Sequence, residues 1–211
     1  HSAQVGNVGL PIVYAVADDE EYEFFAVELS SFQLHWTYSL SPLASVVLNV
    51  ADDHVDWHGS FEAYKAAKAR IYENTQVACI FNEDHADTRR MVEEADVVEG
   101  ARAVSISSTE IPRVSMLGLA EDILVDRAFL KDRYHQALEL GVLTDLAQAP
   151  GQVPAQHTVE NALAAAALTR AAGIAPEHVR EGLRTYSPGA HRNQLVASAG
   201  GVQWVNDSKA T

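Results

Sequence analysis

The chain has 211 residues, enough to bury the core of one α/β domain or of one domain with part of another. Its 29 acidic residues against 15 basic ones give a formal net charge of −14, which repels phosphate polymers and supplies no basic patch for nucleic acid. The single cysteine, Cys79, excludes a disulfide framework, and no apolar run approaches the roughly 20 residues of a membrane span. The expectation is a cytoplasmic protein with small-molecule partners, neither nucleic acid nor membrane. The start at His1, without an initiator methionine, and the end at Thr211, directly after a polar motif, suggest a piece of a longer polypeptide.

The turn Gly6-Asn7-Val8-Gly9 is followed by a helical stretch over Val8 to Ala17, with Pro11 tolerated in its first turn. Phe24 to Leu29, Ser45 to Val50 and Val77 to Asn82 are short β-branched or aromatic runs that read as buried strands. Ser60 can cap a helix from Phe61 to about Tyr72, which places Lys68 mid-helix. Asp84 to Ala95 reads as a further helix and Ala103 to Ile106 as the next strand, so the alternation favours a largely parallel sheet flanked by helices. Ser115 to Leu146 carries short apolar pieces interrupted by charge, the pattern of an antiparallel edge. After the Pro- and Gly-rich loop Gln148 to Pro154, an alanine-rich helix runs from about His157 to Ala172 and stops at Gly173. A second helix spans Pro176 to about Tyr186. Ser187-Pro188-Gly189 marks a linker, and Gln194 to Ala199 with Gly201 to Val205 form a hairpin around Gly200. The domain boundary is placed near residue 189, giving units 1–189 and 190–211.

Three polar groups follow apolar runs. Glu28 closes the first strand, with Ser30, Ser31 and Gln33 beside it, and this oxygen-rich set suits a hard cation such as Mg²⁺ at a sheet end. His54 follows the second strand, flanked by Asp52, Asp53 and Asp56, with His58 two residues further on. The His-x-Asp-x-His spacing is shared with metallohydrolases, but three or four converging zinc ligands are not evident, and His58, His85, His135 and His178 read as exposed. Lys65 and Lys68 lie three residues apart on one helix face. A lysine desolvated near metal ions becomes a neutral amine able to take up CO₂ as a carbamate, which would turn a cation into a metal ligand. No Gly-x-x-x-x-Gly-Lys-Ser/Thr phosphate cradle occurs anywhere in the chain.

Five ordered motifs carry a resemblance to the Mur ligase family over nearly the whole chain. They are Gly6 to Pro11, Glu28 to Gln33 (ELSSFQ), Asn49 to Asp56, Tyr64 to Asn74, and Trp204 to Thr211. ELSSFQ separates the D-glutamate-adding branch from its relatives. The resemblance implies a central ATPase domain, P-loop NTPase-like but lacking the P-loop segment, followed by the first strands of a Rossmann-like C-terminal domain. It implies an ATP-dependent amide ligase of peptidoglycan synthesis, in which the carboxylate of UDP-N-acetylmuramoyl-L-alanine is phosphorylated and D-glutamate attacks the acyl phosphate. By the same resemblance, Glu28 ligates one Mg²⁺, while His54 and carbamylated Lys68 ligate the second. Asn7, Ser30 and Gln33 contact the muramoyl substrate. Asn161 contacts adenine, Arg192 a phosphate and Asp207 the ribose, and Lys209 and Thr211 open the nucleotide and D-glutamate surface. The chain departs from the family pattern in lacking the P-loop, and His191-Arg192-Asn193-Gln194 replaces the family's His-Arg-Phe-Glu. Two rival readings are a sister ligase with another amino acid substrate, which would share His54 and Lys68 but not ELSSFQ, and a metal-dependent hydrolase built on His54, Asp56 and His58.

Overall fold

The computed structural model describes residues 1–147, 152–187, 189, 192 and 194–208. Its centre is a six-stranded sheet of order β3-β4-β5-β6-β7-β8, formed by Ala44–Val47, Ala78–Asn82, Arg102–Ser107, Met116–Ala120, Ile123–Asp126 and Leu138–Val142. The first four of these strands run parallel and the last two add antiparallel pairings, in keeping with the α/β class and the antiparallel edge read from the sequence.

Side-chain alternation along the strands divides the core between the two faces of this sheet. On one face Ala78, Ile80, Val104, Ile106 and Leu117 meet the alanine-rich α6 (Gln156–Ala171), which presents Val159, Leu163, Ala166 and Ala167. Small alanines let this helix lie close to the sheet; Gly173, at φ +81°, follows its end as the sequence predicts. Helix α7 (Pro176–Thr185), with Pro176 in its first turn, adds Val179 and Leu183. On the other face Val47, Cys79, Tyr72 and Met91 form a second cluster, Tyr72 arriving from the 3-10 turn Arg70–Tyr72 and Met91 from α5 (Ala86–Glu93). Cys79 is a free, buried thiol.

One expectation fails. The run Phe24 to Leu29 is neither buried nor part of the main sheet. It supplies β2 (Phe24–Glu28), whose residues are all exposed and which, among the described residues, pairs in parallel only with β1 (Ser2–Gly6). An apolar run tells what a strand could bury, not whether a neighbouring layer stands over it. Strand β1 escaped the sequence reading because Ser-Ala-Gln-Val-Gly is too mixed to register as apolar. The helical stretch after the Gly6–Gly9 turn is confined to α1 (Ile12–Val16), capped by Pro11. Two further helices, α2 (Ser31–His35) and α3 (Val55–His58), are too short to show periodicity. The hairpin β9 (Gln194–Ala199) and β10 (Val202–Asn206) turns through Gly200 and Gly201, both at positive φ. No helix among the described residues is long and apolar enough to cross a membrane.

Candidate functional site

The site is assembled where β2, α2, the loop after β3 and α4 (Phe61–Ala69) come together. Glu28 ends β2 in register with Gly6 of β1. A Cβ on Gly6 would lie 2.1 Å from the Glu28 carbonyl oxygen, and the residue sits at φ +122°, so only glycine allows this approach. The following residue, Asn7, is tied to Glu28 twice: its backbone N–H donates to the Glu28 carbonyl at 2.7 Å and its carboxamide to the Glu28 carboxylate at 3.4 Å. The Gly-Asn pair thus aims one carboxylate beside one carboxamide.

Ser30 and Gln33 form a capping box on α2. Gln33 N–H donates to Ser30 Oγ at 3.3 Å, while Ser30 N–H and Oγ–H donate to Gln33 Oε1 at 2.9 and 3.0 Å. The Ser-x-x-Gln signature of such a box was present in the sequence and was read there only as a set of ligand-facing groups. The box uses Ser30 Oγ and the Gln33 carbonyl, and leaves the Gln33 carboxamide nitrogen outside it.

His54 stands at φ +54° just before α3, a left-handed conformation that is uncommon for a residue with a side chain. Asp53 supports it, accepting the His54 backbone N–H at 2.8 Å, with the imidazole Nε2 3.4 Å from the other carboxylate oxygen. The ring rests between Phe32, with centroids 4.9 Å apart, and Tyr64, at 6.0 Å. Tyr64, buried on α4, also carries the Lys68 ammonium 5.4 Å from its ring centre. Burial pushes the Lys68 amine below its ordinary value, and the carboxylates of Asp53 and then Glu28 oppose that shift. Glu28, Asp53, His54 and Lys68 therefore share one electrostatic neighbourhood around Phe32 and Tyr64. Sequence reasoning selected Glu28, His54 and Lys68 and passed over the two rings.

Lys65 behaves differently. It is not merely solvated: it pairs with Glu62 at 2.8 Å and Asp87 at 3.3 Å, and its hydrogen bond to Glu62, against some desolvation and with help from Asp87, holds its ammonium above the ordinary value. His58 is not freely exposed either. Its Nε2 meets Ser31 Oγ at 3.0 Å, its ring stacks on Phe32, and desolvation with His35 and His54 nearby lowers its pKa. His85 is half-buried with Nε2 3.8 Å from Glu160, whereas His135 and His178 are exposed as expected. Among the described residues no three His, Cys, Asp or Glu side chains converge as a metal set, so the arrangement lends nothing to a zinc hydrolase centred on His54, Asp56 and His58.

The remaining expected site residues lie apart. Asn161 is exposed on α6, Arg192 precedes β9 and Asp207 follows β10, all at the surface. Among the described residues, neither Asn161 nor Arg192 makes a side-chain hydrogen bond or ion pair with the Glu28–Lys68 group. Lys209 and Thr211 lie outside the described residues. Close to Asn161, the strand ends of β4 and β5 carry a polar network that the sequence did not disclose. Asp84 accepts from Ser107 Oγ at 2.8 Å, Thr109 Oγ1 at 2.7 Å and Ser108 N–H at 3.0 Å. Ser108 Oγ and Gln156 Nε2 in turn donate to the buried Glu160, at 3.3 and 2.9 Å.

The family model of the Mur ligase middle domain matches residues 4–169. A UDP-N-acetylmuramoylalanine--D-glutamate ligase of Leifsonia xyli subsp. xyli is 50% identical over 214 residues, which covers 99% of this chain and 41% of that protein. One from Streptomyces avermitilis is 50% identical over 210 residues, covering 100% and 44%. The chain thus spans less than half the length of the curated relatives it matches. Among solved structures, the MurF ligase of Thermotoga maritima in complex with ADP aligns with a TM-score of 0.61 at 17% identity, over 98% of this chain and 46% of that one, a likeness of fold.

Proposed function

The chain belongs to the Mur ligase family, and from this premise we propose that it is the middle part of an ATP-dependent ligase that joins D-glutamate to UDP-N-acetylmuramoyl-L-alanine in peptidoglycan synthesis. The observation that carries the reading is the half-buried Lys68, its amine depressed by desolvation, within electrostatic reach of Glu28 and Asp53 and one aromatic ring away from His54. A lone ammonium there is costly to bury; a carbamate formed from the neutral amine and CO₂, with release of one proton, is an anion that a cation site can use.

The donor set fits Mg²⁺: carboxylate and carbamate oxygens with one imidazole, and no thiolate. Glu28 would hold one ion, and His54 with carbamylated Lys68 the other. When bound, Mg²⁺ neutralises the crowded oxygens of ATP and of the acyl phosphate. The chain's own residues do the rest. Asn7 fixes the Glu28 carboxylate, the capping box holds the Gln33 carboxamide nitrogen at the mouth of α2 for the muramoyl substrate with Ser30, and Phe32 and Tyr64 hold the His54 ring while Tyr64 carries the Lys68 amine. Asn161, Arg192, Asp207 and Lys209 are assigned to the nucleotide and Thr211 to the amino acid side. In this reading residues 1–189 belong to the ATPase-type domain and 190–211 begin the ligase domain, in a cytoplasmic enzyme.

The test is phosphate release by the parent ligase with UDP-N-acetylmuramoyl-L-alanine, Mg²⁺ and a panel of amino acids. The expected result is ATP consumption only when D-glutamate is present. Preference for another amino acid overturns the branch assignment, and turnover without ATP overturns the ligase.

A further inference from the structure

Tyr72 is the largest fully buried side chain among the described residues, and its hydroxyl is used twice. It accepts the backbone N–H of Val47 at 2.8 Å and donates to the backbone carbonyl of Ile80 at 2.7 Å. Val47 is the last paired residue of β3, in register with Phe81, and Ile80 lies on β4. The phenol oxygen therefore sits between the two strands at the point where their pairing stops. From there the chain leaves the sheet through residues 48–53 to His54. On its other side Tyr72 closes the 3-10 turn that continues α4, one turn beyond Lys68.

We propose that Tyr72 is a positioning residue for the His54–Lys68 pair: one hydroxyl fixes the root of the loop bearing His54 to the helix bearing Lys68. Neither His54 nor Lys68 is anchored to the other by a direct hydrogen bond, and His54 stands on an exposed loop in a left-handed conformation. Their separation depends on how the end of β3 is held relative to the end of α4, and Tyr72 touches both. The ring itself packs against Val47, Cys79 and Met91, so its apolar part belongs to the core while its oxygen does the registering. The proposal rests on the ligase reading for what His54 and Lys68 do, but not for the clamp itself.

The test is Tyr72→Phe in the parent ligase, which keeps the ring and removes only the oxygen. In metal-free protein, amide exchange of Val47 and residues 48–54 should quicken while the strands β5 and β6 stay protected. In the assay, kcat should fall about 10- to 100-fold, the loss a misplaced catalytic pair brings, and half-saturation by Mg²⁺ should move to higher concentration with KM for ATP little changed. Met91→Ala serves as the control, since it loosens the same core cluster from α5 without bonding Tyr72 or either strand end that its hydroxyl joins. If Met91→Ala lowers kcat and shifts the Mg²⁺ dependence equally at a comparable loss of melting temperature, the effect is core softening and the proposal is wrong. Wild-type kcat and Mg²⁺ dependence in folded Tyr72→Phe overturn it as well. Failure of the ligase reading would show instead in the wild type, as turnover that ignores Mg²⁺ or D-glutamate, and would leave the exchange result standing.

Discussion

Lys68 and Lys65 show how little residue type says before packing is known. Both sit on α4, yet one is desolvated with its amine pushed down and the other is held protonated by two carboxylates. For Lys68 the sign is definite: a lysine whose folded pKa is depressed costs stability while it must stay protonated, and that cost disappears as pH rises through the folded value toward the ordinary one. Lys68→Met in this 211-residue chain should therefore raise the melting temperature at neutral pH, with the gain shrinking under alkaline conditions; a melting temperature that falls at every pH would show that the ammonium is well solvated or well paired. In the parent ligase, Lys68→Ala should nearly abolish turnover, and added acetate or formate should restore part of it by occupying the space of the carbamate. Lys65→Ala removes two ion pairs whose acidic partners are exposed, the kind of contact that contributes little to stability, and should leave turnover close to wild type. If Lys65→Ala were the dead variant, the mid-helix assignment would be reversed.

Short elements carry the site, and they account for both what was readable and what was not. The ligand-type residues were visible because Glu28, His54 and Lys68 follow apolar runs in a chemistry-bearing order, and the helix cap was visible because Ser60, a favoured N-cap residue, stands directly before the helical stretch. The β1–β2 pair was not, because β1 carries one fully buried apolar side chain, Val5, and its close approach to Glu28 depends on Gly6 and not on an apolar pattern. Gly6→Ala forces a Cβ into the Glu28 carbonyl and a strained φ, a cost of at least ~1–3 kcal/mol. Hydrogen exchange should then show lost protection in β1 and β2 with the six-stranded sheet intact, since the two sheets share no ladder; uniform loss across β4 and β5 would mean the sheets fold as one unit. The Asp84 network was equally hidden, since the serines and threonine it binds are more than twenty residues away. Burial raises the Asp84 carboxyl, but the hydrogen bonds from Thr109, Ser107 and Ser108 outweigh it and hold the group below its ordinary value. Its contribution is present above the ordinary carboxyl range and is lost as pH falls through the depressed value. Asp84→Ala should flatten the acid limb of the stability profile there, and an unchanged limb would show that the latch is idle.

At the scale of the whole molecule, the fold class was legible because the alternation of β-branched runs with helical stretches admits few arrangements, and the antiparallel edge followed from its broken, charge-interrupted pieces. What composition could not convey was that two of the strands would stand outside the main sheet with apolar side chains such as Phe24, Phe25 and Val27 exposed, or that the β9–β10 hairpin would leave Val196 and Trp204 in solvent. An isolated two-stranded pairing is marginal in water, so each of these two depends on what else packs against it. That bears on what this chain can do by itself. Its sequence contains no Gly-x-x-x-x-Gly-Lys-Ser/Thr loop to gather the β- and γ-phosphates, and Glu28, the residue assigned to the ion that bridges them, is carried by the weaker sheet. Without phosphates, nothing would compensate a carbamate on Lys68 for its reversible loss as CO₂. Calorimetry of the 211-residue chain with ATP and Mg²⁺ should accordingly show weak binding, and phosphate-release assays no ligase turnover, while the parent ligase should bind the nucleotide tightly and turn over. Tight, Mg²⁺-dependent nucleotide binding by the chain alone would mean that Asn161, Glu28 and Lys68 suffice to hold the triphosphate, and the division of labour proposed for the site would have to be redrawn.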